Sequence, residues 1–277
     1  MADVKSSVST SNAPKAKTGG STWLTNLIIV VVCVLVAEVF FYTVLGSVNN
    51  FHDGATKHAP KNWMGQMYSG GVVVPILIAT FLIMVCFVIE RALTIVKAKG
   101  NMSNADFIRK VQFHLASKNV DAALLECDKQ KGSVGNVMRA GLKKYKEMMS
   151  NTTFDTDQKV EQIKKEVEET TALELPMLEK NLVFLSTITS AATLLGLFGT
   201  VTGMIRAFSA MSAAGAPDAN ALAQGISEAL FNTALGIGTS FLAMIAYNLF
   251  TTVIDNITFG IDESGFTLEQ SFKANFK

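Results

Sequence analysis

The chain has 277 residues, 49% of them hydrophobic and 17% charged, with a formal net charge of +1. Soluble chains carry about 25% charged residues, and the shortfall here comes from long uncharged apolar runs, the signature of a membrane protein. Near-neutral charge excludes a basic field for nucleic acid, and Cys33, Cys86 and Cys127 lack metal or redox spacing, so they read as small hydrophobes rather than a disulfide framework.

Residues 1–22, rich in Ser, Thr, Ala, Gly and Lys, predict a disordered N-terminus. Residues 23–48 form an apolar run long enough for one span and too long for a signal-peptide core, so an uncleaved anchor is expected. Glu38 inside it reads as a polar contact with a neighbouring helix, with an ion-path role as the alternative. Residues 49–71 form a polar connection. His52 and His58 there lack a ligand cluster and read as solvated, and Trp63 and Tyr68 fit an interfacial aromatic belt. Residues 72–96 are a second span with Pro75 in its first turns, where its missing N–H costs little. Glu90, Arg91, Lys97 and Lys99 mark its cytoplasmic border.

Residues 97–180 predict a cytoplasmic helical domain. Phe107, Val111 and Leu115, then Val137, Leu142, Tyr145 and Met149, recur at helical spacing. Asn104 and Asn119 are candidate caps, and Gly132 to Gly135 read as a break. Glu161, Lys164, Lys165, Glu168 and Glu169 describe a solvated helix face. Residues 181–210 are a third span, expected to continue a long cytoplasmic helix that Pro176 kinks or ends. A short turn, 211–221, with Asp218 or Asn220 as the next cap, leads into a fourth span, 222–252, and a polar tail, 253–277.

The fold class is therefore an all-α integral membrane protein of about four transmembrane helices with a cytoplasmic helical domain, its long helices extending from membrane into cytoplasm. Lys5, Lys15 and Lys17, then Arg91, Lys97, Lys99, Arg109 and Lys110, against no Lys or Arg in the turn after span three, predict that both termini are cytoplasmic. Arg206 is expected to snorkel toward the opposite border.

Chemistry is expected where spans three and four meet. Gly196, Gly199 and Gly203 share one face and let backbones approach. Glu228 is a carboxylate at membrane depth, costly by roughly 2.5–3.5 kcal/mol on insertion scales, and such groups usually face a bundle interior or an ion path. Asn232 lies one turn on, Thr233 beside it, and the short turn brings Thr200 to similar depth. The set suits a proton relay or a hydrated cation; the alternative is a buried packing carboxylate. No nucleophile–base or metal spacing indicates an enzyme, and no cofactor is expected.

Leu195-Gly196-Leu197-Phe198-Gly199-Thr200-Val201-Thr202-Gly203-Met204, and Ile226-Ser227-Glu228-Ala229-Leu230-Phe231-Asn232-Thr233-Ala234-Leu235-Gly236 with Tyr247-Asn248, resemble the MotA/TolQ/ExbB proton-channel family, nearest its ExbB/TolQ branch. The resemblance implies that Glu228, Thr200 and Thr233 line a proton path. It implies a homo-pentamer around a dimer of single-span ExbD/TolR-like subunits in the bacterial inner membrane, surrounded by lipid and working on the outer membrane through a TonB-like partner. A surface-motility stator or a non-conducting scaffold are the rival readings. The family's usual chain has three spans, so residues 24–48 are an additional leading helix.

Overall fold

The computed structural model describes residues 20–54, 60–213 and 219–276. The expectations placed on Lys5, Lys15, Lys17, His58 and Asp218 lie outside these residues. Among the described residues there are nine α-helices: α1 (Gly20–Phe40), α2 (Trp63–Ser69), α3 (Val73–Lys99), α4 (Asn104–Ala116), α5 (Val120–Gln130), α6 (Gly132–Ser150), α7 (Thr156–Glu179), α8 (Leu182–Ala213) and α9 (Ala219–Asn275). A π-helical turn, Phe41–Leu45, extends α1, and an isolated bridge joins Phe51 to Pro60. Four helical stretches are long and apolar enough to cross a membrane. The molecule is an all-α membrane protein.

α8 and α9 pack along each other as an antiparallel hairpin, and α3 packs on both. Among the long apolar helices α1 packs chiefly on α3. Its inner face is a stripe at four-residue spacing, Cys33, Ala37, Phe41 and Leu45, all buried. Its other faces, including Leu24, Val31, Leu35 and Val39, stay exposed, as a lipid-facing helix requires. Glu38 is half-buried on this helix.

α4 to α7 form a helical bundle with the far part of α9. Phe107, Val111, Leu115, Val137, Leu142 and Tyr145 are fully buried in it, as their helical spacing requires. The polar stretch after residue 252 is not a separate tail. It continues α9 without a break and places Ile257, Ile261, Leu268 and Phe272 inside the bundle core. These apolar positions recur at helical spacing, but the acidic residues on the outer face lower the local hydropathy and hide the stripe.

Local starts and stops follow their chemistry. Asp155 and Gln158 form a reciprocal capping box that starts α7. Asn119 caps α5 by accepting from the Ala122 N–H at 3.0 Å. Asn104 does not cap α4; it is already helical and donates to the Asn256 carbonyl of α9 at 3.2 Å. The break between α5 and α6 falls at Lys131 and Gly132, both at positive φ, while Ser133 to Gly135 are helical and buried.

α7 and α8 are two helices rather than one. Pro176 lies inside α7, and the chain breaks four to five residues later at Lys180 and Asn181, the latter at φ 64°. Asn side chains tolerate this left-handed conformation. Arg91, 1% exposed, forks onto the Glu90 carboxylate at 2.7 and 2.8 Å and donates to the Leu178 carbonyl at 3.2 Å. It thereby satisfies an orphan carbonyl at the end of α7. Asn181 donates to Glu90 at 3.1 Å and accepts from Asn26 of α1 at 2.9 Å. Glu90 and Arg91 thus do more than mark a border: they join α1, α3 and the α7–α8 break.

Candidate functional site

The hairpin of α8 and α9 is close because its contact face lacks side-chain bulk. A methyl placed on Gly196 falls 3.0 Å from the Asn232 carbonyl oxygen, and one on Gly203 falls 3.0 Å from the Ala229 nitrogen. Gly225 and Gly236 answer from α9, each packed directly on α8 backbone or Ala207. Gly199 makes room for Asn232, whose Cγ lies 2.7 Å from the same imagined methyl. The three glycines of the α8 motif therefore all border α9, and Asn232 fills the place that Gly199 leaves.

This closeness brings Thr200 and Thr233 together. Their hydroxyls hydrogen-bond each other across the hairpin. Thr200 also reaches the Gly196 carbonyl at 3.2 Å, and Thr233 the same oxygen at 3.4 Å. The pair and its carbonyls form a polar cluster between two apolar helices.

Glu228 and Asn232 lie one turn apart on the same face of α9. The Glu228 side chain is 9% exposed and Asn232 is fully buried. Asn232 donates through Nδ2 to the Gly70 carbonyl at 3.0 Å, so α9 is tied to the turn between α2 and α3. Its Oδ1 is buried with no hydrogen-bond partner among the described residues. Gly71, at φ 75°, presses its backbone against Glu228 and Arg206; any side chain there strikes Oε1 of Glu228.

By its sequence Arg206 is expected to snorkel toward the border at the connection between α8 and α9. It turns inward instead, and its Nη1 donates to Oε1 of Glu228 at 2.6 Å. A charge-assisted bond of this length offsets much of the cost of placing either ion in an apolar setting. The guanidinium stem remains half-exposed, at 51%, so the pair has one closed and one open side. The signal was in the sequence: Arg206 and Glu228 are the lone charges of their apolar segments, each about two helical turns from the connection between them. Gly70 and Gly71 carried no such signal.

The structure thus assembles Glu228, Asn232, Thr200 and Thr233 along one seam and adds Arg206, Gly70 and Gly71. Among the described residues no cluster of His, Cys, Asp and Glu suited to a metal occurs.

The MotA/TolQ/ExbB proton channel family matches residues 129–263, a segment that contains every residue of this seam except Gly70 and Gly71. The Tol-Pal system protein TolQ of Pseudomonas aeruginosa is 33% identical over 118 residues, covering 43% of this chain and 51% of that protein. TolQ of Haemophilus influenzae is 43% identical over 75 residues, 27% of this chain and 33% of the relative. The biopolymer transport protein ExbB of Helicobacter pylori is 44% identical over 71 residues, 26% and 49% respectively. The chain spans about half the length of these curated relatives, or less. Over residues 129–263, which hold the hairpin and part of the bundle that extends it, the chain matches the MotA/TolQ/ExbB proton channel family, and the similar proteins are of its TolQ and ExbB branch.

Proposed function

We propose that the chain is a proton-channel subunit of an ExbB–ExbD-like or TolQ–TolR-like motor in a bacterial inner membrane. It uses the proton gradient to energise outer-membrane transport or envelope work through a TonB-like partner. Five copies surround a dimer of single-span ExbD/TolR-like subunits, both termini lie in the cytoplasm, and Glu228, Thr200, Thr233 and Asn232 form the ion pathway. The observation that carries this reading is the seam itself: one carboxylate within a membrane hairpin, followed along the same helix by an amide and a hydroxyl that bonds its counterpart on the facing helix. A carboxylate held at such depth is characteristically an ion or proton site. The family's description as a proton channel, and the Tol-Pal and biopolymer-transport names of the relatives, supply the direction.

A second reading, a non-conducting scaffold, draws support from the Arg206–Glu228 pair, because a neutralised carboxylate also suits assembly. The two separate in one experiment. The chain is co-purified with its candidate single-span partner, placed in liposomes, and tested for gradient-driven proton uptake beside Glu228→Gln. Uptake lost in an intact variant complex supports the channel. Equal signals overturn it, and a complex that falls apart favours the scaffold.

A further inference from the structure

Two features of the seam remain unexplained by a carboxylate alone: a guanidinium bound to it on one side, and an orphaned buried acceptor one turn away. Buried polar atoms are nearly always hydrogen-bonded, so Oδ1 of Asn232 calls for a donor. Its orientation is fixed by chemistry. Turning the amide over would set Oδ1 against the Gly70 carbonyl, acceptor to acceptor, and lose the 3.0 Å bond from Nδ2.

Glu228 and Asn232 also share a common wall. Gly71 lies against Oε1 of Glu228, and the methyl position of its neighbour Gly70 is 3.6 Å from Oδ1 of Asn232. The i and i+4 spacing places both side chains over one strip of α9. We propose that Arg206 and Asn232 are the alternating partners of Glu228, Arg206 holding the ionised carboxylate and Asn232 Oδ1 accepting the O–H of the protonated acid. This rests on the channel reading above and names the groups that position its carboxylate in each state.

The step balances simply. A proton from the aqueous side adds to a carboxylate oxygen of Glu228. The pair then consists of a neutral acid and a guanidinium with no counter-ion. The acid becomes a donor and turns to the orphan acceptor below it. The guanidinium releases its bond and moves to its exposed side, where water solvates it. Deprotonation runs the sequence backwards. The surroundings leave few competitors. Arg206 is the only charged residue of α8, and α9 carries no other charge before Asp255. Tyr68 of α2 has its ring stacked on Phe41 at 4.8 Å. α3 bears its charged groups from Glu90 onward, at its far end. The arrangement also favours a proton over a metal ion. Hard cations take about six or more oxygens, whereas the Thr200 and Thr233 hydroxyls are already occupied with each other and with carbonyls.

The test uses the intact complex and dicyclohexylcarbodiimide, which adds to protonated carboxyl groups in apolar surroundings. Labelling of Glu228 is read by peptide mass at neutral pH, with Glu228→Gln as the blank. Arg206→Gln is expected to raise the labelled fraction severalfold, because the ionised form loses its partner. Arg206→Lys keeps the charge and stays near the native level. Asn232→Ala lowers the fraction severalfold, and Asn232→Ser, which retains an oxygen, restores most of it. In infrared difference spectra the protonated Glu228 carbonyl stretch moves to higher wavenumber in Asn232→Ala, as expected for an acid that has lost its acceptor. Complexes that co-elute with the native one on size exclusion qualify for comparison, and if alanine or glutamine disrupts assembly, Asn232→Leu and Arg206→Met, which keep the bulk and remove the partner group, take their places with the same expected directions. Equal labelling in all variants, or a change of the same sign for Arg206→Gln and Asn232→Ala, overturns the proposal. The channel reading fails separately: uptake retained in Glu228→Gln removes it whatever the labelling shows.

Discussion

Gly196 of α8 and Gly236 of α9 meet backbone to backbone: a methyl on Gly236 falls 2.8 Å from Cα of Gly196 and 2.6 Å from the Ala192 carbonyl oxygen. Neither neighbour is a flexible side chain, so the hairpin has to open to admit it. Gly236→Ala is therefore expected to destabilise the protein by about 1–3 kcal/mol, the usual range for overpacking. Gly238, two residues on, has nothing within 4 Å of its methyl position. There alanine improves helix propensity by up to about 1 kcal/mol. Thermal unfolding of the two variants in detergent checks the contrast, and equal melting temperatures would show that the hairpin is looser than drawn.

Arg91 is the most heavily engaged cation of the molecule's interior among the described residues. Its fork spans both Glu90 oxygens while Nη1 reaches the Leu178 carbonyl. Lysine has the charge but not the planar fork. Arg91→Lys is expected to cost roughly 1–3 kcal/mol, the penalty for leaving buried polar groups unpaired. The loss should localise to the α7–α8 break, so limited proteolysis between Pro176 and Leu182 should quicken more than cleavage elsewhere. Uniform cleavage rates would argue that Arg91 stabilises α3 alone.

Much of this organisation is legible in the amino-acid order. The four apolar runs announce the spans, and the glycines at 196, 199 and 203 announce a close face. Three things are not. Residues 253–275 read as a polar tail because Asp255, Asp262, Glu263 and Glu269 dominate a composition average, although Ile257, Ile261, Leu268 and Phe272 keep helical spacing. The break at Asn181 needs a left-handed residue that no rule of composition supplies, and Asn served there because its side chain also bridges Asn26 and Glu90. Arg206 looked like a border residue because snorkelling is the default for a lone cation near a helix end. Its partner lies 22 positions away, and only the folded hairpin shows which charge it meets.

Cys127 of α5 is 3% exposed in the core of the helical bundle, and burial pushes its thiol up to about 12. The thiolate is the nucleophile. A folded value that far above the ordinary thiol range leaves almost none of it near pH 8. Iodoacetamide at pH 8 is therefore expected to spare Cys127 until the bundle opens, so the alkylation rate follows local unfolding. Rapid modification of the native protein, read by peptide mass, would place this helix in exchange with an open form.

Cys33 of α1 and Cys86 of α3 have sulfurs 3.7 Å apart. This proximity reports on the leading helix. Asn26 ties one end of α1 to Asn181, and Phe41 and Leu45 pack the other end with Val74. If α1 is held at both ends, mild oxidation with copper phenanthroline should join Cys33 to Cys86 within one chain, and Cys33→Ser should abolish the product. Asn26→Ala should slow the reaction without stopping it, since the apolar contacts remain. Peptide mapping without reductant distinguishes the intrachain product from one between copies. A chiefly intermolecular product would mean that α1 leaves its own α3 and packs against a neighbouring subunit.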